Sequence, residues 1–507
     1  MNACRNKFIT KSTYLDYLVC SKNAWLKLHK PELEPLFKAS DFDQALMGQG
    51  QSVELLAQEL FPLGMLISHG STSQGIIATQ NAITTGTQTL FQATFEMNNF
   101  LIRCDVFEYD SCINAWNLYE IKASNALEQH SKEIDHIEDL SMQVIVLEQQ
   151  GFNVAKASLV YLNKEYKRQG SIDIHELFIV DDVTEKVRDR MPKTITKMQA
   201  AQITLLKSNE REQLCLCIYR GRSAHCETFQ YSYPDIPEYS IHDITRIGLS
   251  KKKLAALVDQ QIFDIQDIPD GFELSAIQEN QVRSYQSKML LVSDELIREE
   301  LSRLSYPLYF LDYETYPSAI PLFNGYRPYQ QITFQFSVHV AMGEYSNPTH
   351  FEYLHEQQSD PSLTLIQKLL EAVGSKGSVI VWNKSFETKQ NNELAELHPE
   401  YAEFLYDINN RMYDLMDVFA DQMYVHHAFR GKTSLKNVLP VLVPELSYKE
   451  FVVQNGGSAS RYWAEMVYGD LTPEERQKIA HELKKYCGLD TYAMYKIWDH
   501  LRTLACK

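Results

Sequence analysis

Side chains two residues apart on a strand share a face, and "YFLDYETY" (309–316) presents such a pair, Asp312 and Glu314, behind an apolar run. Two carboxylates held that close repel and disturb each other's ionisation unless a cation lies between them, so the pair reads as part of a metal site. Further acids stand where a fold could bring them to it. Glu387 follows "SVIVWN" (378–383) at a strand-to-helix junction, where the active groups of open α/β sheets collect. Tyr486 and Asp490, four apart on the last helical stretch, share one helical face. The N-terminal half carries a second set: Asp105 in "FLIRCDVFEY" (100–109), then Glu120 and Lys122, again two apart, in "AWNLYEIKAS" (115–124). Taken singly, an Asp-x-Glu pair is usually a solvated edge and a helical Tyr/Asp pair a surface contact. Their joint occurrence, in order and on suitable elements, is what points to chemistry.

The elements that must position these groups follow from periodicity and capping. Residues 11–29 have apolar residues near helical spacing, with Ser12 or Thr13 as N-cap. Residues 100–109 and 115–124 predict a β-hairpin, 134–151 a helix closing on Gly151, and 156–163 another strand. From 236 to 305 the texture is that of a helical connector. Beyond Tyr306, "QITFQFSVHVA" (331–341) alternates strictly, which puts Ile332, Phe334, Phe336 and Val338 on one face. "THFEYLHE" is a further strand, followed by helix 361–373, strand 378–383 and helix 384–397. The last helix opens with Thr472 as N-cap, Pro473 in the first turn and Glu475 completing a capping box. Gly488, inside it, costs about 1 kcal/mol relative to alanine, which predicts close approach of a backbone or ligand. These elements predict an α/β protein: an N-terminal domain over 1–235, a helical connector over 236–305, and a C-terminal domain with a mixed sheet over 306–507.

Composition narrows the class. A 507-residue chain that is 44% hydrophobic fills more than one core. No apolar run reaches the roughly 18 residues a membrane helix needs, and "MNACRNKFITKSTY" lacks the apolar centre of a secretory signal. Nine cysteines without regular spacing fit a reducing compartment, so a cytoplasmic location is expected and no membrane partner. The net charge of −17 argues against coating nucleic acid by bulk electrostatics, though not against an enzyme that meets phosphates through metal ions.

Asp-x-Glu on a first strand, Asn383-x-x-Phe386-acid after a later one, and Tyr-x-x-x-Asp on a C-terminal helix resemble the three motifs of the DnaQ-like, DEDD-type 3′–5′ exonucleases, in the subtype with tyrosine in the third motif. The resemblance implies a ribonuclease H-like fold and a two-metal site in which Asp312, Glu314 and Asp490 hold Mg²⁺ or Mn²⁺ ions roughly 3.5–4 Å apart. It implies that Tyr486 orients the attacking water. The second motif departs from the family pattern in ending with Glu387 rather than aspartate, and Asp417 in "MYDLMDVF" is a supporting candidate. The N-terminal set, with "STYLDYLVCSKNAWL", "GQGQSVELLAQELFPLG" and "DLSMQVIVLEQQG" in order, resembles the PD-(D/E)xK site of RecB-like nucleases. That implies a restriction-endonuclease-like domain in which Asp105 and Glu120, with Glu54 as a further ligand, hold Mg²⁺. Lys122 would orient water and stabilise charge on the phosphate, and Gln143 matches the family's helix glutamine.

Many such relatives hold a four-iron cluster on one N-terminal and three C-terminal cysteines. Here Cys20 and Cys226 match, the cysteines expected after Cys226 are missing, and Cys215 and Cys217 are spaced unusually closely. Four thiolates are the normal requirement, so no iron–sulfur cluster is expected, and Cys20 is read as a small core residue. "GKTSLKNVLP" is no P-loop, since His426 occupies the place of the required glycine. Arg430, Lys432 and Lys436 there contact phosphates or form a solvated helix start. The whole chain resembles a bacterial family fusing a RecB-like to a DnaQ-like domain. The expected function is a metal-dependent nuclease acting on DNA rather than RNA, in repair or defence. The alternative is a protein that binds nucleic acid or a partner through degenerate centres.

Overall fold

The computed structural model describes residues 8–38, 41–68, 70–124, 136–210, 214–449 and 451–505. Residues 1–7 of the N-terminal stretch and 134–135 of the expected helix lie outside these. The chain divides into two units. One comprises Met1–Ile218, Ala224–Pro234 and Ala319–Pro328; the other comprises Tyr219–Ser223, Asp235–Ser318 and Tyr329–Lys507. Both are α/β. Among the described residues no helix is long and apolar enough to cross a membrane.

The first unit is built on seven strands: β1 (Ile9–Thr10), β2 (Met65–Leu66), β3 (Thr89–Met97), β4 (Phe100–Asp110), β5 (Ala115–Lys122), β6 (Val154–Leu162) and β7 (Phe178–Asp182). They lie in the order β2-β3-β4-β5-β6-β7, with β1 parallel to the start of β4. The β3–β4–β5 meander is antiparallel, whereas β5 and β6 are parallel and joined through helix His136–Gln149. That helix is buried nearly all round, its polar residues included, because it lies against the sheet and beneath helix Thr184–Leu205. Residues 11–29 form two helices, Lys11–Val19 and Ser21–His29, because Cys20 between them is extended. The N-cap is Thr10, whose hydroxyl accepts from the Thr13 N–H, rather than Ser12 or Thr13.

The second unit holds β8 (Leu291–Val292), β9 (Leu308–Pro317), β10 (Gln331–Ala341), β11 (Thr349–Leu354), β12 (Ser378–Val381), β13 (Met412–Asp414) and β14 (Tyr424–Val425). Five of them form a mixed sheet ordered β11-β10-β9-β12-β13, antiparallel through β9 and parallel beyond it. Strand β8 pairs only with β14. Alternation sorts the two faces of the five-stranded sheet. Tyr309, Leu311 and Tyr313 pack with Phe336, Val338 and Val340 against helices Ser362–Ala372 and Lys384–Leu397. Phe310 and its neighbours meet Tyr495 and Trp498 of the C-terminal helix, Pro473–Ala505. The strict alternation expected along β10 fails at a bulge between Thr333 and Gln335, and Phe334 stacks instead on Trp463. The C-terminal helix begins with the expected reciprocal capping: Thr472 Oγ1 accepts from the Glu475 N–H, and Glu475 accepts from the Thr472 N–H. Residues 236–305, read as a connector, belong to the second unit.

Candidate metal centres

Strand β12 stops at Val381, level with Leu311 of β9, and the chain turns there into helix Lys384–Leu397. Asp312 and Glu314 lie on the part of β9 that runs past this turn, so the carboxyl ends of two parallel strands frame one site. Asn383, in the left-handed region with φ 88°, makes the turn. Asp414 of β13 clamps it by accepting from the Asn383 and Lys384 N–H groups at 3.1 and 2.7 Å. Glu387 then projects from the first turn of the helix and is buried. The C-terminal helix contributes Tyr486, Cys487 and Asp490, all buried. The Cys487 Sγ is 3.6 Å from Asp312 Oδ2, and ligand atoms of Asp312, Glu314 and Cys487 lie within 4.8 Å of one another.

Electrostatics ties the remaining acids to that trio. Burial and then the Asp490 charge push the Asp312 carboxyl well above its ordinary value. Glu314 is raised by burial, Asp312 and Asp490. Glu387 is raised by burial, Asp312 and Glu314, with Asp414 and Asp490 adding to it. Asp490 rises to about 6 through burial, opposed by hydrogen bonding from Tyr448 and by Lys436. A buried carboxylate oxygen of Glu387, Oε2, has no hydrogen-bond partner among the described residues. A buried, unpartnered carboxylate oxygen beside other mutually repelling acids suits a divalent cation's ligand rather than a satisfied core. The residues therefore fit Mg²⁺ or Mn²⁺.

Three features here escaped the sequence reading. Tyr448, in a loop with no periodic signal, donates its hydroxyl to Asp490. Cys487, next to the motif tyrosine, faces Asp312. The neighbour of Gly488 is the His350 ring, 3.4 Å from where a Cβ would stand, which is ordinary contact and not the close backbone approach expected. Asp417 is exposed and Asp414 holds the turn instead, so the supporting role expected of Asp417 is corrected.

In the first unit the register of β4 and β5 sets the second centre. Gln92 of β3 has φ 56° and drops out of the ladder opposite Asp105, with the β3–β4 register unchanged on either side. Gln92 Nε2 reaches Glu54 at 2.5 Å and Asp105 at 3.2 Å, while Asp105 also accepts from the Ile121 N–H. Buried Glu120 accepts from Lys11 at 2.6 Å, Lys122 at 2.7 Å and Gln143 at 2.7 Å. Lys122 bridges onward to Asp139 at 2.7 Å, and Gln143 also reaches Asp139. Burial and the Glu120 charge raise Asp105 to about 8. For Glu120 burial is outweighed by Lys11 and Lys122, which hold it well below its ordinary value. Glu54, Asp105, Glu120, Lys122 and Gln143 are thus brought together, but the ammonium groups occupy Glu120. Among the described residues these three acids form no set within 4.8 Å. Lys11 and Asp139 were missed; Asp139 lies four residues before Gln143, a spacing that could have revealed it.

The same unit gathers Cys20, Cys215, Cys217 and Cys226, with sulfurs within 4.8 Å of one another. Cys215 Sγ is 3.7 Å from both Cys20 and Cys226. Hydrogen bonding from the other three thiols pulls Cys217 below its ordinary value. The sequence reading that denied an iron–sulfur cluster rested on missing cysteines. The structure corrects that premise only in placing Cys215 and Cys217, which precede Cys226 in the chain, beside Cys20 and Cys226. Four convergent thiols fit a soft metal or an iron–sulfur cluster.

An α/β protein with two mixed sheets, a carboxylate cluster on each and a tetrathiol set is what fold and sites define. A family model described as a domain of unknown function (DUF2779) matches residues 309–434, the stretch carrying Asp312, Glu314 and Glu387. The chain is 29% identical over 206 residues to an uncharacterised protein of Mycoplasma genitalium, MG366, covering 37% of this chain and 31% of that one. It is 25% identical over 290 residues to an uncharacterised protein of Ureaplasma parvum, UU173, covering 53% of this chain and 39% of that one. The chain spans only 31% and 39% of the length of these two relatives.

Proposed function

We propose that this protein is a metal-dependent nuclease that hydrolyses phosphodiester bonds, DNA in preference to RNA, chiefly at the Asp312–Glu314–Glu387–Asp490 cluster. The observation that carries the reading is that four acids from three chain segments, three of them buried and Asp312 partly so, repel one another electrostatically, with a Glu387 oxygen left unpartnered. Ionised together they are unstable without cations. The strand order of the second sheet and the Tyr-x-x-x-Asp helix support a ribonuclease H-like, DnaQ-like 3′–5′ exonuclease domain. Asp105, Glu120 and Lys122 on adjacent strands support a PD-(D/E)xK, RecB-like domain.

The four acids would hold Mg²⁺ or Mn²⁺, which when bound supply Lewis-acid activation of water and neutralise charge on the phosphate. The chain's own groups do the rest. Burial, then Asp490, pushes the Tyr486 hydroxyl far up, so it stays protonated and acts as a hydrogen-bond donor that orients water rather than as a base. Tyr448 fixes the Asp490 carboxylate from the other side. The tetrathiol set would hold an iron–sulfur cluster or zinc in a structural role. A second reading applies to the N-terminal centre alone: with Lys11 and Lys122 paired to Glu120, it holds nucleic acid without cutting.

End-labelled single- and double-stranded DNA and RNA, incubated with Mg²⁺, Mn²⁺ or EDTA, test the proposal. Metal-dependent release of mononucleotides that Asp312→Ala abolishes is expected. No cleavage of any substrate would sink it. Lys122→Ala apportions any remaining activity to the N-terminal centre.

A further inference from the structure

Resting on the nuclease reading, we propose that Lys436 is the phosphate-binding cation of the C-terminal centre, its ammonium taking a non-bridging oxygen of the substrate's phosphate. Lys436 stands in the first turn of helix Leu435–Leu442, half-buried beside the acid cluster. Its Nζ lies 5.1 Å from the Tyr486 ring centroid and 5.6 Å from that of Tyr448, the two tyrosines turned toward Asp490. One donor is spent on the Gln454 carbonyl at 2.5 Å. The charge is felt by Asp312, Glu314 and Asp490, yet among the described residues Lys436 forms no ion pair with any of them. An ammonium has three donors, so two remain for a ligand.

Charge balance says what that ligand is. Asp312, Glu314, Glu387 and Asp490 carry four negative charges when ionised, and two divalent cations cancel them. A phosphodiester entering such a centre brings one negative charge with nothing left to offset it. Lys436 supplies the missing positive charge. The Gln454 tether holds the ammonium beside Asn455–Gly456, where helix Gly456–Tyr468 begins and where a Cβ on Gly456 would stand 3.7 Å from Glu314 Oε2. The positive end of that helix adds to the same field.

Calorimetry with thymidine 5′-monophosphate in the presence of Mn²⁺, on the full chain, tests the assignment. The wild type should bind, Lys436→Gln should bind about tenfold to a hundredfold more weakly, and Lys436→Arg should recover most of the loss. Retained Mn²⁺ uptake by Lys436→Gln shows that its carboxylates are still assembled. A dinucleotide with a neutral methylphosphonate linkage should bind wild type and Lys436→Gln alike. Equal affinity of the two proteins for the nucleotide, or no nucleotide binding by the wild type, overturns the inference. Cleavage is read separately. Lys436-dependent nucleotide binding without cleavage of any substrate leaves the cation assignment standing and removes the nuclease reading. Cleavage with the same KM and kcat in Lys436→Gln does the reverse.

Discussion

Removing the metal should turn the C-terminal cluster into a pH-dependent weak point, and the sign is fixed by the directions of its shifts. Asp490 titrates at about 6 in the folded chain against an ordinary 3.8. An acid raised by folding binds its proton more tightly when folded, so the stability this group contributes in the metal-free protein is fully present only below the ordinary value. Stability then falls as pH rises through about 4 to about 6. The rise from 3.8 to about 6 corresponds to about 3 kcal/mol at roughly 1.4 kcal/mol per pH unit. Asp312, Glu314 and Glu387 are displaced in the same direction and add to it. At about 2–4 °C per kcal/mol, Asp490 alone lowers Tm by roughly 6–12 °C between pH 4 and 7 in EDTA. Asp312→Asn removes one charge and relieves Glu314 and Glu387, so the variant should be more stable than wild type at pH 7.5 and its slope should be shallower, while the part of the Asp490 rise that burial causes remains. Mn²⁺ should raise the wild-type Tm progressively more as pH increases and leave Asp312→Asn nearly unmoved. Differential scanning calorimetry at three pH values, with and without Mn²⁺, reads all four quantities. Identical pH slopes for the two proteins, or an equal response to Mn²⁺, would refute the reasoning.

Protein purified without chelators should carry iron with acid-labile sulfide, or zinc, by elemental analysis, and Cys217→Ser should reduce that content to background. Lys122→Met leaves Lys11 as the remaining cation on Glu120 and Asp139 and should cost about 2 kcal/mol, less when Mg²⁺ is present, measured by denaturant unfolding. Gly488→Ala should be neutral or stabilising by up to about 1 kcal/mol, because a methyl there meets His350 at ordinary contact distance and improves helix propensity. A large loss of Tm would show that the His350 ring cannot accept it.

The elements were legible wherever burial imposed a period. Strand β10 over 331–341 and helix 384–397 match their predicted bounds, since the strand is buried along nearly its whole length and the helix buries one continuous face. What sequence could not show was where periodicity breaks for a tertiary reason: the bulge that turns Phe334 toward Trp463, and the extended Cys20 that splits one expected helix into two. The same limit applied to the sites. Asp312, Glu314, Glu387 and Asp490 announced themselves by type and spacing on regular elements. Tyr448 sits in a loop and Lys11 at the first residue of a helix, and only the folded chain brings them to Asp490 and Glu120. The thiols were misread because contact between Cys20 and Cys215 spans 195 residues, a separation no local spacing rule covers.

Helix Lys11–Val19 starts with an ammonium on Glu120 and runs directly into a sulfur of the tetrathiol set. Its nine residues make a rigid rod of about 14 Å. One short helix therefore links the sulfur set to the paired charges of the N-terminal acids, so a displacement of Cys20 is carried along it to the Lys11–Glu120 ion pair.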